Sequence, residues 1–308
     1  MEMSDKAKVG FIGLGYMGHG MAKNILQNGH PMMVKGNRNR TPVESLVGMG
    51  ATEATSPREM AEQCDIVHIC LSNSPQVESV FRGADGLLAG AREGLIVVDC
   101  TTADPTSTMA LAEELAAKGG HFVDAPLGRT PKEAEEGTLD AMIGADEEVF
   151  DRVLPVIECW AGNINRVGGV GAGHKMKLLM NTISMGYAAL YAEVTVLGAK
   201  AGIPPKMVQK VIGSSRLGNG FFDTFMRCVV DGEREVHKFS IANASKDLKY
   251  AGSMAAEADV MTLMLGAARQ YFVHAEAIGH AQDYVPWLAD HVARMNGVEM
   301  AEESAKGR

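Results

Sequence analysis

The sequence predicts an α/β domain with a doubly wound, mostly parallel sheet, followed by an all-α domain. Three observations carry this. Short apolar runs alternate with amphipathic stretches through the first half of the chain. A glycine-rich break, GGVGAG at residues 168–173, ends the alternation. Beyond it strand signals vanish and helical periodicity continues to the C-terminus. The expected domains are residues 1–168 and 169–308, and 308 residues suffice for two cores.

In chain order, the strand candidates are residues 8–13, 32–34, 65–71, 95–100, 121–125, 140–144 and 164–167. Amphipathic segments at 17–29, 75–83, 104–119 and 146–158 lie between them. Right-handed crossovers would set these helices on both faces of the sheet. After the break, a long helix is predicted from about 173 to 201, then helices over 204–215, 220–232, 241–259, 261–279 and 284–297. The tail, 302–308, is expected to fray. Residues 178–197 have the length of a membrane span but carry Asn181, Thr182, Ser184 and Glu193, with Lys177 just before. That pattern fits a core helix buried on nearly all sides, with no membrane contact.

A net charge of −9 argues against nucleic acid as the main partner, because phosphate binding needs a basic face. The five cysteines are widely spaced with no CxxC, so neither a disulfide frame nor a zinc site is expected. The opening residues, MEMSDKAK, lack an apolar signal core, which points to a cytoplasmic protein. The nine histidines show no ligand-like spacing, so no metal is expected, and His174 reads as a helix-start residue.

Gly13, Gly15 and Gly18 have G-x-G-x-x-G spacing between a strand and a helix. The first glycine permits the turn, the second lets backbone approach a pyrophosphate, and the third allows close helix–strand packing. With Leu14, Tyr16 and Met17 between them, they predict dinucleotide binding and make the sheet Rossmann-type. An acid after the second strand would bind the ribose hydroxyls of NAD. Here Asn37, Arg38 and Arg40 follow instead, with no acid before Glu44. Guanidinium groups suit a 2′-phosphate, so NADP is expected, with NAD possible. Leu71, Ser72 and Asn73 after the third predicted strand, and Thr102 after the fourth, should line the same crevice.

The loop DAPLGRTP, residues 124–131, follows another strand and holds Arg129 between two prolines. Gly128, Arg129 and Thr130 are candidates to grip a small anionic substrate, since a guanidinium fork binds an oxyanion bidentately. The competing use of Arg129 is an ion pair with Glu133, Glu135 or Glu136. On the long helix, Lys177 and Asn181 are four residues apart and share a face, with Ser184 a turn further on. A lysine partly buried at the hinge suits proton transfer.

Four segments, GFIGLGYMG, DAPLGRTPKEAEEGTLDAMIGA, GVGAGHKMKLLMN and SKDLKYA, together resemble the β-hydroxyacid dehydrogenase family. This family includes 3-hydroxyisobutyrate dehydrogenases and small semialdehyde reductases. The resemblance implies that Lys177 is the catalytic lysine, with Asn181 beside it, and that Lys246 approaches the nicotinamide end of the cofactor. It also implies a homodimer or homotetramer. Most members carry Ser-Gly-Gly where this chain has Gly128-Arg129-Thr130. The variant is similar to the sulfolactaldehyde reductase branch, but Met180 stands where that branch has Asn, leaving carboxylate and sulfonate head groups both open. The expected reaction interconverts a small anionic semialdehyde and its 3-hydroxy acid. The alternatives are an NAD-linked 3-hydroxyisobutyrate-type dehydrogenase and a non-catalytic dinucleotide-binding interaction module.

Overall fold

The computed structural model describes residues 6–306. The chain divides into two compact units, Met1–Lys177 and Leu178–Arg308, so the division falls inside the long helix Ala172–Lys200.

The first unit is built on nine strands among the described residues. They are β1 (Val9–Ile12), β2 (Met32–Lys35), β3 (Thr52–Glu53), β4 (Ile66–Ile69), β5 (Ile96–Asp99), β6 (His121–Asp124), β7 (Leu127–Gly128), β8 (Leu139–Gly144) and β9 (Ala161–Gly168). The order is β3-β2-β1-β4-β5-β6-β8-β7, with β9 also paired to β8. Every pairing from β3 through β6 is parallel. β8 runs antiparallel to β6 and β7 and parallel to β9.

The central strands are mostly apolar because both faces are covered, with His68, Asp99 and Asp124 as buried exceptions. Alternate residues enter two different cores. Phe11, Ile66, Val98 and Val123 pack with Met21, Ile25, Val149 and Val153 on one face. Ile12, Val67, Val97 and Phe122 pack with Met60, Phe81, Leu111 and Leu115 on the other. This is a Rossmann-type, doubly wound α/β fold, and the helical region follows it. The seven expected strands all form; the two-residue β3 and β7 are additional, too short to show a period. The segment read as a plain loop at 124–131 therefore contains β7.

In the second unit, Leu178, Met185, Ala188, Ala192 and Val196 of the long helix pack with Phe222, Phe225, Phe272 and Leu288. The expectation that this helix is buried on nearly all sides is corrected. A second stripe at helical spacing, Leu179, Met180, Ile183, Tyr187, Leu190 and Leu197, faces outward, with Ile183 58% and Leu197 69% exposed. All-round apolarity in a sequence does not say which chain covers each side. No described helix is long and apolar enough to cross a membrane. The frayed tail is also corrected: Met300–Ala305 is a helix, Met300 is buried, and Ser304 Oγ donates to the Val229 carbonyl at 2.9 Å. The last two residues lie outside the described range.

Candidate active site

The crevice above the carboxyl ends of β1 and β4 lies where the strand order reverses, the usual ligand position in such sheets. Gly13 follows β1 at a φ of +95°, and a Cβ there would sit 2.2 Å from the Cys70 carbonyl oxygen. Gly18 opens the helix Gly18–Gln27, and its Cβ would lie 2.0 Å from the Gly13 carbonyl oxygen. At Gly15, by contrast, a Cβ would meet nothing within 4 Å. Two glycines are thus required by the turn itself, while the third keeps an open approach to backbone beside a helix N-terminus. This cradle fits a pyrophosphate.

Leu14 is buried, Met17 half-buried, and Gly15 and Tyr16 are exposed at the rim. Leu71 lies over Gly13. Thr101 Oγ1 accepts from the Leu71 amide at 3.0 Å, joining the loops after β4 and β5. Asn73 caps the next helix by accepting from the Gln76 amide, with Ser72 beside it, and Thr102 is half-buried on the loop after β5. After β2, Asn37 and Arg38 are exposed. Arg40, however, donates to both carboxylate oxygens of Glu53, at 2.8 and 2.6 Å, and holds that carboxyl below its usual range. This acid is not apparent in the sequence, because pairing of β2 with β3 brings it in from thirteen residues away.

Sequence reasoning also missed a buried polar group at the ends of β5 and β6. Asp124 accepts from the amides of Gly171 at 2.6 Å and His174 at 2.7 Å, so its carboxylate caps the start of the long helix. A side chain at Gly173 would strike the Met142 carbonyl, 2.3 Å from a built Cβ, so the helix start fits only as glycine. His174 begins the helix as expected but is fully buried. Its Nδ1 lies 2.7 Å from Thr108 Oγ1 and its Nε2 4.0 Å from Asp99. Burial pushes the Asp99 carboxyl above its usual range, against the opposing pull of His174 and Thr101. The only available signal was an aspartate closing each apolar strand.

Arg129 has a φ of +75°, a left-handed backbone that a non-glycine residue adopts at a cost. Its partner is none of the three glutamates considered. Arg129 Nε donates to Asp140 Oδ1 at 3.0 Å, because β7 and β8 pair Gly128 with Asp140. Glu133 instead completes a capping box with Thr130, whose hydroxyl and amide both donate to it. Thr130 is therefore the N-cap of the helix Pro131–Glu136. Glu135 pairs with His19 and Lys23, and Glu136 with Lys132. Asn24 Nδ2 donates to the Ala134 carbonyl at 3.0 Å, tying the Arg129 loop to the glycine-turn helix.

On the long helix, Lys177 is half-buried and Asn181 is 8% exposed. Asn181 Nδ2 donates to Asp247 Oδ2 at 2.6 Å, and Lys246 Nζ lies 3.0 Å from Asp247 Oδ1. Asn181 and Lys246 are thus joined through Asp247, whose role no sequence pattern signals. Ser184 Oγ donates back to the Asn181 carbonyl at 3.4 Å.

One His–Asp–His group forms despite the scattered histidines. His280 Nδ1 and His291 Nε2 lie 2.8 and 3.1 Å from Asp283 Oδ2. His291 Nδ1 is buried without a partner. A metal-bound histidine normally anchors its second nitrogen, so these residues read as a hydrogen-bonded triad.

A glycine turn at the switch point of a parallel sheet defines an NAD(P)-binding protein, and the comparisons make it an oxidoreductase. A family model described as the NAD binding domain of 6-phosphogluconate dehydrogenase matches residues 8–169. A second, described as NAD-binding of NADP-dependent 3-hydroxyisobutyrate dehydrogenase, matches residues 171–288. The chain belongs to the β-hydroxyacid dehydrogenase family and uses NAD(P). It is 32% identical over 303 residues to 2-(hydroxymethyl)glutarate dehydrogenase of Eubacterium barkeri, covering 97% of this chain and 99% of that one. It is 33% identical over 277 residues to 3-sulfolactaldehyde reductase of Escherichia coli, covering 90% and 92%. The crystal structure of a 3-hydroxyisobutyrate dehydrogenase from Salmonella typhimurium matches with a TM-score of 0.82 at 26% identity, over 93% of this chain and 100% of that one. These three relatives are named as dehydrogenases and a reductase, and this chain is an enzyme of that class.

Proposed function

We propose that this enzyme reduces a small anionic semialdehyde to its 3-hydroxy acid, with NADPH preferred over NADH. When bound, the nicotinamide supplies a hydride. Residues 13–18 would hold its pyrophosphate and Lys246 its nicotinamide end. Asn37 and Arg38 would take the 2′-phosphate, Arg40 being committed to Glu53. Hydride addition to an aldehyde carbon leaves an alkoxide, and Lys177 donates the proton to that oxygen. Asn181, on the same helix face and with one amide hydrogen given to Asp247, has its second amide hydrogen to donate to that oxygen or to the acid head.

The anionic substrate rests on one observation above all. Arg129 is kept in a costly backbone conformation beside the carboxyl end of β6, in a family loop position, with Asp140 bracing only its Nε. The terminal nitrogens are left to form a fork for a carboxylate or sulfonate. The outward stripe of the long helix supports a homodimer or larger homo-oligomer, a second copy being the natural cover for an apolar helix face. All five cysteines are free thiols, which suits a cytoplasmic enzyme.

A panel of charged and uncharged small aldehydes, assayed with both cofactors, tests this reading. Arg129→Ala retains a Cβ at the left-handed position, so the backbone demand is unchanged while the guanidinium and its bond to Asp140 are lost. The variant should raise KM by about tenfold or more for anionic aldehydes and leave uncharged ones nearly unchanged. The unmutated enzyme should show the lower KM for NADPH. An equal loss on both aldehyde classes, or equal KM values for the two cofactors, would contradict the corresponding part.

A further inference from the structure

We infer that Asp247 is a positioning residue that aligns the Lys177 helix and the cofactor lysine with a single carboxylate. It is 1% exposed and gives one oxygen to each partner, Oδ2 to Asn181 and Oδ1 to Lys246. A buried carboxylate needs pairing, and the hydrogen bond from Asn181 and the ion pair with Lys246 both serve it.

The chemistry of the contact also fixes which way Asn181 points. A carboxylate only accepts hydrogen bonds, so the amide nitrogen of Asn181 must face Asp247. Its Oδ1 is then turned away as an acceptor. An asparagine free to flip would present either end to substrate, whereas this one presents a defined end. Lys246 is similarly constrained. It has a flexible four-carbon stem, and its ammonium lies 3.0 Å from Asp247 Oδ1 and 5.6 Å from the Tyr250 ring, two contacts that restrict it. Lys246 and Asp247 are adjacent on the helix Ile241–Glu257, while Asn181 arrives from the long helix. Asp247 therefore ties two elements together at the point where each carries a proposed active-site group.

This inference rests on the reading of Lys246 as a cofactor contact and of Asn181 as part of the reaction site. Its test is chosen so that an error about the substrate leaves it readable. NADPH affinity is measured by fluorescence titration without substrate, alongside kcat on the best aldehyde. Asp247→Asn can still offer an amide oxygen to Asn181 but no charge to Lys246. It should weaken NADPH on the order of tenfold while lowering kcat by less than Asp247→Leu, which loses both contacts. In Lys246→Met, adding Asp247→Asn should change NADPH affinity no further. Unchanged NADPH affinity in Asp247→Asn would overturn the proposal. So would equal kcat losses in the Asn and Leu variants, or fully additive effects of Asp247→Asn and Lys246→Met. The last comparison does not need the leucine variant to fold.

Discussion

At the scale of single residues, the fold keeps several polar side chains away from water, and each has a different consequence. Asp99, Asp124 and Asp247 are accommodated by amides, hydroxyls or a cation. His68 has no such partner. It sits in β4, stacked 5.7 Å from Phe11 and edge-on to Trp160, and neither ring nitrogen has a hydrogen-bond partner. Burial pushes its pKa down from 6.5 to about 3. The folded state thus holds a neutral imidazole, whereas the unfolded chain binds a proton below about pH 6.5. The resulting stability is complete above pH 6.5 and falls progressively as the pH drops toward 3. Between pH 7 and pH 5 the loss from this one group is about 2 kcal/mol. His68→Phe should flatten that acid limb in urea unfolding at the two pH values. An identical pH dependence in the variant would contradict the assignment.

At the scale of elements, the helix Ala172–Lys200 has two apolar faces with different coverings. One packs in the second unit's core, and the other carries the exposed stripe through Ile183 and Leu190. Ile183→Glu with Leu190→Glu should leave the fold intact and reduce the proposed homo-oligomer to a species of 32.8 kDa, the mass of one chain, in sedimentation. An unmutated protein that already sediments at that mass would contradict the proposed interface.

This helix also shows what a sequence can disclose. Its length and apolar character were legible, as were the glycine turn and the strands that repeat an apolar run between helices. The exposure of its outer face was not, because periodicity reports polarity and not neighbours. The Arg129–Asp140 pair was hidden for a related reason. Its partners are eleven residues apart, and only the register of β7 on β8, a strand of two residues, brings them together. Among the glutamates near Arg129, proximity in sequence was the wrong guide, since the helix Pro131–Glu136 spends them on a cap and on other cations. The role of Asp247 was equally silent, since it requires two helices to meet.

At the scale of the whole molecule, an enzyme of net charge −9 is proposed to bind an anionic cofactor and an anionic aldehyde. Screening over about 10 Å at 0.1 M salt confines the unfavourable background field. Recognition is then proposed to rest on individual cationic side chains, Arg38, Arg129, Lys177 and Lys246, and not on the overall field. Of these, Lys177 carries the central claim, because the reaction needs a proton where the others need only charge. Lys177→Ala, assayed in single turnover with saturating NADPH and the best anionic aldehyde, tests it most directly. The account predicts a fall in turnover on the order of 10²–10⁴-fold with NADPH affinity retained. Turnover close to that of the unmutated enzyme would contradict it.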